Sequence, residues 1–192
     1  MKDLKKYVII LTKINEELDM LGGRIMIEIM NTNTLDKDII DNFLKEKEID
    51  KNVIAKGKIY NLDNLDAFML FEGIHALGEN DPKGIAYYKV GVRGMEIVKI
   101  YTITEDDRIK NILLKKLIEK AKEEGCSRIW SLVTNDKVET MEFLQRNGFE
   151  MKMLHENLIE EMRKNNLNVY EYGLNGIKIS HGLEFVYEFT ED

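Results

Sequence analysis

The stretch Ile109–Glu150, IKNILLKKLIEKAKEEGCSRIWSLVTNDKVETMEFLQRNGFE, decides the fold. Its first part repeats apolar residues at spacings of three and four. Ile109, Ile112, Leu113, Leu117 and Ala121 form a stripe that Leu114 and Ile118 widen. That period predicts a helix from about Asp107 to Glu124, stopped by Gly125. Ile129–Val133 is an apolar run of strand length. Lys137–Asn147 reads as a second helix ended by Gly148, and Phe149–Leu154 as another strand. Helix and strand alternating in this way make the chain α/β.

Upstream, Ala67–Glu72, Gly84–Val92 and Met95–Thr102 read as three strands, with a loop over Gly73–Asp81 and a turn at Arg93-Gly94. Before them come a strand over Ile25–Met30 and a helix over Leu35–Glu48 with Thr34 as its N-cap. The first segment, Asp3–Leu21, carries Leu4, Tyr7, Val8, Leu11, Ile14, Leu18 and Leu21 on one helical face and stops at Gly22-Gly23. Downstream, Glu156–Lys164 predicts a short helix and Leu183–Phe189 a final strand. With no repeat and no long linker, residues 24–192 read as one mixed α/β domain, a central sheet flanked by helices. Residues 1–23 read as an N-terminal helical extension.

The chain has 192 residues, 44% apolar and 33% charged, the balance of a soluble globular protein. Its 28 basic and 35 acidic side chains give a net charge of -7, which argues against a nucleic-acid partner held by counterion release. No apolar stretch approaches membrane-spanning length. The single cysteine, Cys126, leaves no intramolecular disulfide, and a cytoplasmic location is the expectation. His75, His155 and His181 show no ligand spacing and imply no metal. Met26 with Met30 and Met151 with Met153 read as core filling, and Lys115–Glu124 as a solvated helix face.

The ordered set around the opening stretch resembles the GNAT superfamily of acyl-CoA-dependent N-acetyltransferases. The matching pieces are Leu113-Leu114, Lys122–Gly125, Ile129-Trp130, Thr134-Asn135-Asp136, Phe143 and Gly148-Phe149. Upstream, Asn64–Glu72 and Lys83–Thr102 resemble the family's central meander. Downstream, Leu154-His155 and Asn175–Glu188 resemble a subgroup with an extra helix and a last strand.

The resemblance implies acetyl-CoA in a V-shaped gap between the strand ending near Tyr101 and the strand ending at Val133. The backbone from Val98 through Ile100 to Tyr101 would then face the pantetheine arm and the thioester carbonyl. Arg108, Ile109, Lys110 and Asn111 would receive the diphosphate, and Asn135 would stand where the arm emerges. Two departures from the family pattern stand out. Glu105 occupies the Arg/Gln position of the pyrophosphate loop, with Arg108 and Lys110 at its two glycine positions. Those glycines normally let backbone N–H groups close on a diphosphate at a helix N-terminus. Leu144 stands where many members carry an acidic tyrosine, and leucine has no proton to give.

The residues themselves leave several roles open. Asp106 and Asp107 fit helix capping. A water, another tyrosine or nothing takes the place of that acid; Tyr87, Tyr88 and Tyr101 are either packing aromatics or candidates for it, Tyr101 first among them. Glu96 is either the general base, as the one carboxylate of its strand, or a residue at the strand's exposed start. Asn135 is either a cofactor contact or a turn former. The function expected is direct acetyl transfer to a small amine or peptide amine. The alternatives are a catalytically inactive ligand sensor or interaction module, and an assembly role for the N-terminal helix, whose stripe is buried on its own body or across a homodimer. Arg108, Lys110, Lys115 and Lys116 predict a basic lip at the cofactor loop of an acidic protein.

Overall fold

A computed structural model describes residues 27–55, 58–73, 82–104, 107–165 and 169–190. The helix expected over Asp3–Leu21, the boundary after residue 23, the loop at 74–81, and Glu105 and Asp106 lie outside those residues. Along the chain come β1 (Ile27–Asn31), α1 (Lys37–Glu46), β2 (Asn52–Ala55), β3 (Lys58–Asn61), β4 (Asp66–Glu72), β5 (Pro82–Gly91) and β6 (Gly94–Thr102). Then follow α2 (Asp107–Glu123), β7 (Arg128–Thr134), α3 (Val138–Arg146), β8 (Glu150–His155), α4 (Leu158–Lys164) and β9 (Gly182–Glu188). Among the described residues seven strands form one mixed sheet in the order β1-β4-β5-β6-β7-β9-β8, with β2 and β3 a separate hairpin. Every neighbouring pair in the large sheet is antiparallel except β6 with β7, which is parallel.

The two faces of the sheet bury two cores. On one, the α2 stripe (Ile109, Ile112, Leu113, Leu117, Ala121) packs over Leu70, Ala86, Met95, Ile97 and Ile129. Burying each such leucine contributes about 1.5–3 kcal/mol. On the other, Phe43 and Leu44 of α1 and Val53 of the hairpin cover Met69, Phe71, Ile85, Tyr87 and Val98. Gly94 closes the β5–β6 turn at φ +97, where a Cβ would sit 2.3 Å from the Arg128 carbonyl oxygen. Only glycine lets that turn lie against the start of β7.

The mixed sheet flanked by helices agrees with the sequence expectation, while several details do not. Thr34 does not cap α1. It ends a 3₁₀ turn (Thr32–Thr34) and donates to the Asn31 carbonyl at 2.7 Å, and Asp36 takes the N-cap position. The β2–β3 hairpin was not foreseen, because its apolar pairs Val53-Ile54 and Ile59-Tyr60 are too short to show a period. Met151 and Met153 are 54% and 51% exposed rather than core filling, since β8 is an edge strand paired only with β9. No helix among the described residues is long and apolar enough to cross a membrane.

Candidate functional site

The site begins where β6 and β7 part. They pair only at Met95 with Ile129 and Glu96 with Trp130. One step on, the ladder gives way to a side-chain link: the buried Ser131 hydroxyl donates to the Ile97 carbonyl at 3.1 Å. Beyond it the strands diverge. A bulge falls at the same place, since Tyr87 opposes Lys99 and Tyr88 opposes Ile97, which leaves Val98 without a partner on β5. The inserted residue shifts the phase of the strand. Ile97 and Ile100, three apart, both join the α2-side core, and Val98 and Tyr101 both join the other.

The divergence opens a cleft of about 350 Å³. Val98, Lys99, Ile100 and Tyr101 form one wall, Ser131 to Thr134 the other, and Thr140, Phe143 and Leu144 of α3 the floor. Three ammonium groups line it: Lys99, Lys110 and Lys137. Burial holds Lys99 below the ordinary lysine range, Lys137 lowers it further, and Asp136 offsets part of the change. Lys137 lies 3.2 Å from the buried Asp136 carboxylate, and Lys110 lies 3.9 Å from Asp107.

The residues expected at the diphosphate loop separate. Lys110 lines the cleft. Arg108 donates to Glu72 of β4 at 3.0 Å, and Lys83 shares that carboxylate at 3.7 Å. Ile109 is 3% exposed in the α2 core, its side chain directed at the sheet. Asn111 does not line the cleft, and its Oδ1 is buried without a hydrogen-bond partner among the described residues. Asp107, in the first turn of α2, pairs with Arg146 at 3.2 Å. Asn135 sits in the turn after β7, and its side chain holds a distant segment: its Oδ1 accepts from the Ser180 and His181 amides at 2.8 and 3.0 Å, and its Nδ2 donates to the Lys178 carbonyl at 2.8 Å. The basic lip likewise differs from expectation. Lys116 is buried, stacked 5.5 Å from the Phe68 ring and paired with Glu119, and does not line the cleft.

Glu96 is not at an exposed strand start; only 6% of it is accessible. It alternates with Met95 and Ile97, which face α2, so it faces the hairpin, where the Tyr60 hydroxyl donates to its Oε2 at 3.1 Å. Burial pushes its carboxyl above the ordinary glutamate range. The Tyr60 bond, Lys89 and Arg93 pull it down, and Glu184 adds to the rise. Tyr60 in turn is pushed up to about 12, first by burial and then by the charge and hydrogen bond of Glu96. Glu184, buried on β9, pairs with Arg93 and lies 3.4 Å from His155 Nε2. Of the three strand tyrosines only Tyr101 reaches the cleft. Burial and, secondarily, Asp50 raise its phenol to about 12, so it stays protonated. Tyr88 stacks on Phe68 with centroids 5.4 Å apart, and Tyr87 is buried against the α1 side. Cys126 is half-buried with its thiol pushed up by burial, the opposite of a reactive thiolate.

Sequence reasoning missed Lys99, Lys137, Ser131 and Tyr60. Lys99 did leave a signal, as the one charge inside the apolar run Ile97-Val98-Lys99-Ile100-Tyr101. Tyr60 left none, because its relation to Glu96 is made by a hairpin 36 residues away.

A parallel pair parting inside an otherwise antiparallel sheet, with α2 entering at the mouth, defines the chain as a protein of the GNAT acetyltransferase fold. A Bacillus subtilis acetyltransferase in complex with CoA superimposes with a TM-score of 0.61 at 15% identity, over 86% of this chain and 100% of that one. A GNAT family acetyltransferase from Elizabethkingia anophelis with acetyl-CoA bound gives 0.59 at 16% identity, over 85% and 98%. The uncharacterised Bacillus subtilis protein YdhI is 29% identical over 160 residues, 83% of this chain and 96% of the relative. A second, YxbD, is 26% identical over 136 residues, 71% and 82%. No family model matches the chain.

Proposed function

We propose that the protein is an acetyl-CoA-dependent N-acetyltransferase that transfers acetyl directly to an amine. The observation that carries this reading is the parting of β6 and β7 at Ser131, which opens a cleft in a fold whose similar structures hold CoA or acetyl-CoA. The cleft suits such a molecule in its parts. Its lining is mixed, and Val98, Ile100, Val133 and Leu144 supply the apolar part that suits a pantetheine arm. Its cations, Lys99, Lys110 and Lys137, suit phosphates, and the first turn of α2 presents amide N–H groups without helical partners. The lysines stand in for the missing loop glycines: charge replaces close backbone approach.

Acetyl-CoA, when bound, supplies a thioester whose C–S bond breaks as the amine nitrogen bonds the acetyl carbon. Glu96 accepts the proton that the amine loses, through water, because its raised pKa makes it a stronger base than an exposed glutamate. The β6 backbone beside the bulge polarises the carbonyl. Tyr101, protonated and in the cleft, gives a proton to the departing sulfur, the role that Leu144 cannot fill. Among the described residues no activated nucleophile lines the cleft, which favours direct transfer over a covalent intermediate. The test is isothermal titration with acetyl-CoA, paired with thiol release in the presence of a panel of amines. Binding in the micromolar range and amine-dependent thiol release are expected. Binding without thiol release would instead favour a ligand sensor, and no binding would remove both.

A further inference from the structure

A second recess, about 280 Å³ in volume, adjoins the cleft along the same two strands. The cleft starts at Ile97 and Ser131, and the recess ends one residue earlier on each strand, at Glu96 and Trp130. Its side walls are aromatic, Tyr60 and Trp130, and each ring carries a cation: Lys89 Nζ lies 5.4 Å from the Tyr60 centroid and the Arg93 guanidinium carbon 5.0 Å from that of Trp130.

At its inner end stands Glu96, 94% buried by the 6% accessibility above. One oxygen is fixed by Tyr60, and the other, Oε1, is buried with no hydrogen-bond partner among the described residues. A buried carboxylate oxygen left without a donor is costly, because it has given up water and gained nothing in return. That cost is offset when a ligand supplies the donor, and an amine on its way to an acetyl group does so. The outer end has the opposite character. Lys58 and Lys89 sit on its rim, both exposed, while Arg93 is held by Glu184. A simple alkylammonium would pass two positive side chains to reach Glu96. A molecule with an anionic group at its far end turns that repulsion into attraction.

Resting on the transferase reading above, we propose that this recess takes a small two-ended acceptor of the amino-acid class, its amine on Glu96 and its carboxylate on Lys58 and Lys89. The aromatic walls accommodate the carbon chain between them. A free carboxylate at the far end belongs to a metabolite-sized amino acid, since in a protein N-terminus that carbon is an amide.

Trp130 is the chain's single tryptophan, so intrinsic fluorescence reads binding at the recess without any need for turnover. The full chain is titrated with glycine, β-alanine, 4-aminobutyrate and 6-aminohexanoate, each against the alkylamine and the alkanoate of matching length. At least one amino acid binds about tenfold more tightly than both matched partners, a difference of about 1.4 kcal/mol. In a Lys58→Ala/Lys89→Ala double variant that advantage falls to about twofold or less, while alkylamine affinity holds or improves. Glu96→Gln weakens amino acids and alkylamines alike and leaves alkanoates unchanged. Equal binding of alkylamines and amino acids, an advantage that survives the double variant, or no fluorescence response across the series would each overturn the inference. Thiol release from acetyl-CoA separates it from the reading it rests on. The predicted binding pattern without thiol release rejects acetyl transfer but keeps the ligand class, whereas thiol release with alkylamines alone keeps transfer and rejects the class.

Discussion

The two halves of β6 have different neighbours. From Gly94 to Ile97 the strand is flanked on both sides, by β5 and by β7, and there a carboxylate, Glu96, is buried against the hairpin. From Val98 to Thr102 it keeps β5 but loses β7, and there the inserted residue Val98 and the ammonium of Lys99 border an open cleft. The closed half holds a buried carboxylate fixed by Tyr60, and the open half sets backbone and cations along the cleft. On the proposed function, the base lies in the closed half and the cofactor with the acid Tyr101 along the open half, with Ser131 marking the border.

That division sets the sizes of the effects of substitution. Glu96→Gln is the largest: kcat falls by about 10²–10⁴, the range for loss of a general base, with acetyl-CoA affinity unchanged by calorimetry. The pH profile sharpens the point. Because burial raises the Glu96 carboxyl in the folded state, the acid limb of kcat/KM lies above the ordinary glutamate pKa, and it is absent in Glu96→Gln. The same shift has a sign in stability: the folded protein binds the Glu96 proton more tightly than the unfolded chain. Its contribution is therefore greatest below the ordinary glutamate pKa and declines as pH rises through the folded-state value. Urea unfolding of Glu96→Gln shows a weaker decline over that interval.

In the open half, Lys99→Met or Lys110→Ala weakens acetyl-CoA binding by about tenfold, roughly one charge-assisted contact, with a smaller effect at high salt. At the border, Ser131→Ala removes the link to the Ile97 carbonyl and lowers stability by about 1 kcal/mol in urea, with a smaller loss of affinity. The smallest effect belongs to Arg108→Ala, about twofold or less in acetyl-CoA affinity, because its guanidinium is held by Glu72. A tenfold or greater loss there would restore the loop position that the family pattern implies for Arg108 and dissolve the contrast between cleft and flank.

The sequence carried the helices and strands whose apolar periods are long. The α2 stripe and the alternation of β6 are legible because packing against a sheet imposes them residue by residue. Burial of Glu96 was not legible, since Gly94 and the turn before it pointed to solvent while the cover comes from Tyr60 on a short hairpin. The fate of Arg108 was hidden for a similar reason, because its partner Glu72 lies 36 residues back along the chain. Asn135 lies between these cases. The turn was one of its two readings, whereas the hold of its amide on the 178–181 segment was hidden by the 43 to 46 residues between them.

Hydrogen exchange followed by mass spectrometry, with and without acetyl-CoA, tests the central claim most directly. The account predicts protection concentrated at 98–102 and 131–134, the backbone that the parting of β6 and β7 leaves open, with the β2–β3 hairpin unchanged. Uniform exchange at saturating acetyl-CoA, or protection confined to the hairpin and the Glu96 recess, would contradict it.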